Sequence, residues 1–355
     1  MILFSYKSTG VEHTLTMKLT GIIMDVSGFF KGYCDIKEGI MKRKLVLIIC
    51  IVCSLGILAG FQINNEKKLR FIFIAPVKNE VFFNPVIKGM IDAAKMLQVD
   101  CTFTGTEDVD VKAQADMVRQ AVADGYDGIA LDIIDPVAFD SVIREAIDQG
   151  VPVVSFNVDD SNTPNMRLSA VCQNMYEAGH TLGEKALEFI PSDSRILMTL
   201  HSRGISALDE RLKGAQDVLK QKGITWKVVC TTNNPEKAVE VIADELKAEP
   251  EITCILSTGL TDTEAAGKVI DRFFKGKGYV SAGFDLSREI LNLIKADVIE
   301  FTIDQQPYVQ GFYPVIQLTH YCRYGIMPSS IDAGAVIIEK KNVDSVIELS
   351  TMDYR

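Results

Sequence analysis

From Leu69 onward, short apolar runs alternate with longer stretches in which apolar residues recur every three or four positions. The first run covers residues 69–75, and the first helical pattern covers residues 85–97. The same alternation predicts further strands over 101–104, 128–131 and 151–156, a helix over 109–124, and a helix that starts at an N-cap Asp135 and stops at Gly150. Strands separated by helices predict a parallel sheet.

A second series of the same kind follows. Its predicted strands cover 195–200, 227–231, 252–257, 279–284, 298–303 and 335–338, and its helices cover 206–222, 235–249, 261–274, 287–295 and 307–324. Two series of similar units predict an α/β protein with two similar, doubly wound parallel-sheet lobes. Ligands of such sheets bind beyond the carboxyl ends of the strands, so two facing lobes predict a binding cleft.

A different pattern precedes the lobes. The basic triplet at 42–44 is followed by an apolar run that ends near Phe61, and basic residues before an apolar run stay in the cytoplasm. Residues 41–65 are therefore expected to be a signal peptide or a membrane anchor, and the lobes are expected to be exported. Phe61 stands where a lipoprotein would need Cys, and Ile57 is large for a cleavage site, so both alternatives stay open.

Residues 1–40 show no sustained helical or strand period. A secretory leader normally begins only a few residues before its basic triplet, as it would if translation started at Met41. The segment is either a short unstructured cytoplasmic tail or a stretch upstream of the true start.

Composition narrows the class of partner. The 355 residues are 47% hydrophobic and carry a formal charge of −10, which suits two full cores and argues against nucleic acid as a partner. Five cysteines follow the apolar run without metal-ligand spacing, so they are expected to be free thiols, and no metal or cofactor is expected. Ser206 lies near His201 and Asp209, but no nucleophile-elbow turn surrounds it, which argues against an enzyme.

Six short phrases occur in a fixed order. They are Lys78 to Phe83, Asp124 to Ile129, Val151 to Val154 followed by Asn157, Gly204-x-Ser206-Ala207 followed by Arg211, Gly283-Phe284-Asp285, and Thr302 to Pro307. In this order the chain resembles the type I periplasmic binding proteins for simple sugars, of the ribose-binding kind, from about Leu69 to Val343. The resemblance implies a monomer that binds a sugar and closes around it.

The resemblance also implies lobe boundaries and a site. Lobe 1 would hold residues 69–172 and 306–333, and lobe 2 would hold 173–305 and 334–349, joined by three crossing strands near 172–173, 305–306 and 333–334. The implied ligand-binding residues are Glu80, Phe82, Phe83, Asn157, Arg211, Thr261, Asp285 and Gln305. Aromatic rings would stack on the sugar, and the planar polar groups would bond its hydroxyls.

Each candidate also has a purely structural interpretation. The two phenylalanines could be lobe core, Arg211 could be solvated, and Asp285 could cap the helix at Ser287. Gln305 could be only a hinge residue and Asn157 only a turn former, and Thr261 lies in a loop that is one residue longer than the family's.

Two departures from the pattern bear on the ligand. Ribose binders carry Asn where this chain has Glu80, and an Asp-Arg pair where it has Asn157-Val158. These differences favour another pentose, a hexose, a polyol or an amino sugar over ribose itself.

The resemblance implies delivery of the ligand to the permease subunits of an ABC importer. The alternative is a membrane-anchored sugar sensor that signals to a receptor histidine kinase. A sugar-responsive repressor would need a DNA-binding motif before Leu69, where the chain has the apolar run instead.

Overall fold

The computed structural model describes residues 2–3, 16–19, 22–24, 67–135, 137–160 and 165–355. The chain divides into two compact units, Met1–Lys67 and Lys68–Arg355. In the first unit, the strands β1 (Ile2–Leu3), β2 (Thr16–Leu19) and β3 (Ile22–Met24) form an antiparallel sheet. The sequence pattern predicted no element there. The apolar run at 45–61 lies outside the described residues, and none of the described helices is long and apolar enough to cross a membrane.

The second unit contains two six-stranded sheets, each of which defines a lobe. Lobe 1 has the strand order β14-β8-β7-β6-β4-β5, and every pairing is parallel. Its strands are β4 (Arg70–Ala75), β5 (Asp100–Gly105), β6 (Gly128–Leu131), β7 (Val153–Asn157), β8 (Ala170–Cys172) and β14 (Ile331–Asp332). Its helices are α1 (Asn84–Leu97), α2 (Val111–Ala123), α3 (Asp140–Asp148) and α9 (Pro307–Tyr324), and a 3₁₀ turn at Val81–Phe83 precedes α1.

Lobe 2 has the strand order β10-β9-β11-β12-β13-β15. Its strands are β9 (Arg195–Leu200), β10 (Thr225–Cys230), β11 (Cys254–Ser257), β12 (Val280–Phe284), β13 (Phe301–Asp304) and β15 (Val336–Glu339). Its helices are α4 (Met175–Ala186), α5 (Ser206–Lys220), α6 (Pro235–Ala248), α7 (Leu260–Val269), α8 (Arg288–Lys295) and α10 (Val343–Ser350), and a π-helical turn at Ile270–Phe274 extends α7. Buried apolar clusters flank both faces of each sheet.

The prediction of two parallel-sheet α/β lobes is confirmed, with local differences. β15 pairs antiparallel with β13, whereas the other pairings in the lobe 2 sheet are parallel. The helix expected to start at Asp135 begins at Asp140 instead. The Asp135 carboxylate accepts hydrogen bonds from the amides of Val137 and Ala138 at 2.9 and 2.8 Å, which holds a turn rather than a helix start.

Glycines bring helices into close contact in both lobes. A side chain at Gly89 or Gly311 would collide with the backbone of the partner helix where α1 crosses α9. The same holds for Gly179 and Gly214 where α4 crosses α5. The second crossing presses α4 directly on the backbone of Arg211, which fixes the position of that residue below the cleft.

The chain passes between the lobes three times, after β8, β13 and β14. The crossing segments are bonded to one another. The Gln173 amide donates to the carbonyl oxygen of Gly334 at 2.8 Å, the Ala333 amide donates to Cys172 at 2.9 Å, and the Gln306 side chain donates to Ala333. Three adjacent, mutually bonded connections between two lobes are typical of a hinge.

Candidate ligand-binding cleft

Two polar residues occupy equivalent places at the carboxyl ends of the two sheets. Asn157 ends β7, which lies between β6 and β8, and Asp285 follows β12, which lies between β11 and β13. Both have a left-handed backbone, with φ of 61° and 68°. Asn and Asp tolerate this conformation better than most residues, so each sheet can turn its chain sharply and leave a polar side chain at the cleft edge.

In lobe 2 a buried guanidinium supports this edge. Arg211 on α5 is only 2% exposed. Its Nε and Nη2 atoms donate to Gln173 Oε1 at 3.1 and 2.8 Å, and Nη1 donates to the carbonyl oxygen of Thr258 at 3.0 Å. Its Nη1 atom also lies 3.6 Å from Asp285 Oδ2. Burial lowers the pKa of Arg211, and the Asp285 carboxylate opposes that shift, so the two charges compensate each other.

The Asp285 carboxylate also accepts a hydrogen bond from Gln305 Nε2 at 2.6 Å. Gln310 on α9 in turn donates from its Nε2 atom to the carbonyl oxygen of Gln305 at 2.8 Å and to Gln305 Oε1 at 3.2 Å. Gln305 lies directly after β13, on one of the crossings between the lobes. A residue that bonds Asp285 from a crossing segment couples the cleft edge to the hinge.

In lobe 1 a buried acid, Asp132, supports the residue at the cleft edge. Asp132 is fully buried and follows β6. Its Oδ2 atom accepts from Asn157 Nδ2 at 2.7 Å, and its Oδ1 atom accepts from the Val158 amide at 3.3 Å. No cation is among these partners, and burial raises the pKa of Asp132 to about 8. The protonated acid is therefore the favoured form near neutral pH.

A cavity of about 620 Å³ opens between the lobes. Phe82 lines it from lobe 1, Asp285 lines it from lobe 2, and Gln305 lines it from the crossing. Asp304 and Arg355 line the same cavity. Three of the residues predicted from the sequence thus meet around one space large enough for a monosaccharide.

The two neighbouring phenylalanines have different surroundings. Phe82 lines the cavity and packs edge-on against Phe83, with ring centroids 5.1 Å apart. Phe83 is 4% exposed and packs against Phe103 and Phe156 in the core of lobe 1. Phe82 is therefore accessible from the cavity, whereas Phe83 belongs to the core of lobe 1.

The other candidates do not line the cavity. Glu80 is exposed on the residue that precedes the 3₁₀ turn, and Thr261 donates to Asn233 Oδ1 at 2.9 Å on the surface of lobe 2. Asn157 and Arg211 are buried behind the cleft edge and hold other residues in place. Ligand contacts by all eight candidates stay predictions.

Sequence reasoning missed the buried acid Asp304, which lines the cavity, and two further buried acids. One is Asp132, and the other is Asp262 at the start of α7, which is bonded to the Thr231 hydroxyl and whose pKa burial raises to about 7. The available signal for Asp132 was its position, because a carboxylate directly after an apolar strand lies at the ligand edge of a parallel sheet. Asp262 lies five residues after the end of β11, so its position does not mark it as a residue at the strand end.

Comparisons with known proteins place this geometry in a family. The periplasmic binding protein domain family matches residues 71–325 of the 355-residue chain. The chain belongs to the periplasmic binding protein family. This confirms the resemblance noted from the sequence, and the family works outside the cytoplasm.

The curated relatives of this periplasmic binding protein are themselves binding proteins. The xylose/arabinose-binding protein of Sulfolobus acidocaldarius is 27% identical over 297 residues, which is 79% of this chain and 74% of the relative. The ribose import binding protein of Bacillus subtilis is 22% identical over 247 residues, covering 70% and 79% of the two chains. Neither is an enzyme by its name, which fits the expectation of a binding role.

Solved structures agree on the fold. A carbohydrate transporter from Acidothermus cellulolyticus, determined in complex with myo-inositol, has a TM-score of 0.72 at 26% identity and covers 81% of this chain and 100% of its own. A periplasmic sugar-binding protein from Legionella pneumophila has a TM-score of 0.71 at 25% identity, with 75% and 100% covered. Both share the fold of the second unit of this chain.

Proposed function

We propose that this periplasmic binding protein binds a neutral simple sugar or polyol in the cleft between its lobes and closes on it. The observation that carries the proposal is that Phe82, Asp285 and Gln305 line the same cavity. An aromatic face suits the C–H surface of a sugar ring, and a carboxylate with an adjacent amide suits its hydroxyls. The names of the relatives, which include pentose-binding and myo-inositol-bound proteins, support this ligand class.

The support behind the cleft explains how the binding groups are held ready. Arg211 holds the Asp285 carboxylate from behind while its own donors bond Gln173 and Thr258. The carboxylate is therefore held in one orientation in a buried place, and the ligand hydroxyls need not reorganise it. Lobe closure would remove water from the same groups, which strengthens each hydrogen bond to the sugar.

Binding is tested directly with the purified chain and a panel of D-xylose, L-arabinose, D-ribose, D-glucose and myo-inositol. A true ligand at a hundred times its Kd should raise the free energy of unfolding by about 2.7 kcal/mol, which a thermal-shift assay detects. Calorimetry then gives the affinity of each positive. If no sugar or polyol in an extended panel raises the melting temperature, the proposal is wrong.

The cellular role we propose is delivery of the sugar to the permease subunits of an ABC importer. Sensing through a receptor kinase would use the same binding event, so binding data alone do not separate the two roles. Neighbouring permease and ATPase genes would support delivery. A neighbouring sensor-kinase pair without them would contradict it.

A further inference from the structure

The segment that follows α10, residues 351–355, leaves lobe 2 and lies against lobe 1. The Tyr354 ring lies 5.2 Å from the ring of Tyr308 on α9. Lys88 on α1 places its Nζ atom 4.6 Å from the centroid of the Tyr354 ring and donates to the Tyr354 hydroxyl at 3.4 Å. Tyr354 thus fixes this segment on the two crossed helices of lobe 1, although the helix before it packs on lobe 2.

The next residue, Arg355, reaches the crossing between the lobes. Its Nη1 atom lies 2.9 Å from Asp304 Oδ2 and donates to Gln306 Oε1 at 3.1 Å. Asp304 is 1% exposed. Burial raises the pKa of Asp304, and the Arg355 charge opposes that shift. Arg355 therefore brings a positive charge to a buried acid at the end of β13.

Arg355 also faces the binding space. It lines the cavity together with Phe82, Asp285 and Gln305, and its side chain is 21% exposed. Among the described residues its Nε and Nη2 atoms make no hydrogen bond, whereas the corresponding atoms of Arg211 both donate to Gln173. Two arginines line the cavity, and Arg288 is exposed on α8, whereas Arg355 is partly buried with Nε and Nη2 able to present two parallel donors to a ligand.

We infer that Arg355 is a ligand-binding residue of the cleft and that it donates through Nε and Nη2 to adjacent hydroxyls of the sugar. The inference rests on the proposed function and adds a contact from a segment beyond the residues 71–325 that the family match covers. Four acids line the same cavity and one cation besides Arg355, namely Glu264, Asp285, Asp304, Asp353 and Arg288. The four carboxylates oppose an anionic ligand, so the fork serves a neutral polyhydroxy compound rather than a sugar acid.

The test compares four variants of the full chain by calorimetry: Arg355→Met, Asp304→Asn, the double variant, and Lys275→Met as a surface control. The probe is whichever sugar or polyol of the panel under Proposed function the parent binds most tightly. Arg355→Met should weaken binding about 10- to 100-fold, because a charged donor to a buried hydroxyl is lost. Lys275→Met removes an exposed cation that pairs only with Asp271, and it should bind like the parent.

The double variant separates a ligand contact from a structural role. If Arg355 contacts the sugar, its replacement weakens binding equally in the Asp304→Asn background. If Arg355 only offsets the Asp304 charge, the loss disappears there, and the inference is overturned. Asp304→Asn also removes the unpaired buried acid, so the double variant stays testable if Arg355→Met alone fails to fold.

Two further outcomes are distinct. Parent-like affinity in Arg355→Met overturns this inference and leaves the proposed function standing. A parent that binds no sugar or polyol of the extended panel overturns both, and the Lys275→Met control then fails to bind as well.

Discussion

Asn157 and Asp285 end equivalent strands in the two lobes with the same left-handed backbone, yet their supports are opposite in kind. Asn157 is neutral and bonds a buried acid, Asp132, whose pKa lies near 8. Asp285 is an acid and bonds a buried cation, Arg211. The same backbone turn therefore carries two electrostatic arrangements, a neutral amide bonded to a buried acid of raised pKa in lobe 1 and an ion pair in lobe 2. The difference makes the lobe 2 edge the charged wall of the cleft.

The largest expected effect comes from removing the cation of the ion pair. Arg211→Met leaves Asp285 buried without its positive partner, which should lower the free energy of unfolding by about 3–5 kcal/mol. Chemical denaturation of the ligand-free chain measures this. Adding Asp285→Asn makes the lobe 2 edge neutral like that of lobe 1. The double variant should therefore regain most of the lost free energy of unfolding. A double variant as unstable as the single one would contradict the ion-pair description.

Removing the acid of the same pair should act mainly on the ligand. Asp285→Ala deletes the carboxylate that lines the cavity, and we expect a loss of about 2–4 kcal/mol in binding, or roughly 30- to 1000-fold in affinity. The protein also loses the bond from Gln305 and the partner of Arg211, so some stability goes with it. Calorimetry with the best ligand measures the affinity, and Lys275→Ala serves as the surface control. Unchanged affinity would show that the cleft lies elsewhere.

The buried acid of lobe 1, Asp132, should make the free energy of unfolding depend on pH. The folded-state pKa of Asp132, about 8, lies above its ordinary value of 3.8. As pH rises between these values, the unfolded chain releases the proton first, so stability falls by up to about 1.4 kcal/mol per pH unit. Asp132→Asn should remove that part of the slope, because the Asn157 amide can turn and accept from the new amide. Unfolding curves at pH 5 to 8 test this, and an unchanged slope would mean that Asp132 stays ionised.

The alternation of strands and helices was predictable from the sequence. A parallel sheet that is buried on both faces needs continuously apolar strands and amphipathic helices that pack on its two faces. Helix α4 escaped prediction, since Gly179 and Gly183 weaken its local signal while the packing against α5 requires them. Strands β8 and β14 have three and two residues, too few to show a period.

The residues of the cleft could also be predicted only in part from the sequence. The resemblance pointed to Asp285 and Gln305, which the fold brings into contact. It could not separate Phe82 from Phe83, because adjacent residues in a 3₁₀ turn face different sides and no period distinguishes them. Arg355 reaches the cleft only through tertiary packing of its segment, and nothing in its neighbouring sequence indicates that.

The smallest expected effect concerns Thr261, which the family resemblance implied as a ligand-binding residue. Its hydroxyl donates to Asn233 on the surface of lobe 2, where a neutral hydrogen bond contributes little to stability. Thr261 does not line the cavity. Thr261→Ala should therefore change stability by less than about 0.5 kcal/mol and sugar affinity by less than about twofold. Calorimetry under the conditions used for Asp285→Ala makes the comparison direct. A tenfold loss of affinity would instead show that lobe closure carries the start of α7 onto the ligand, which would extend the charged wall beyond the ion pair.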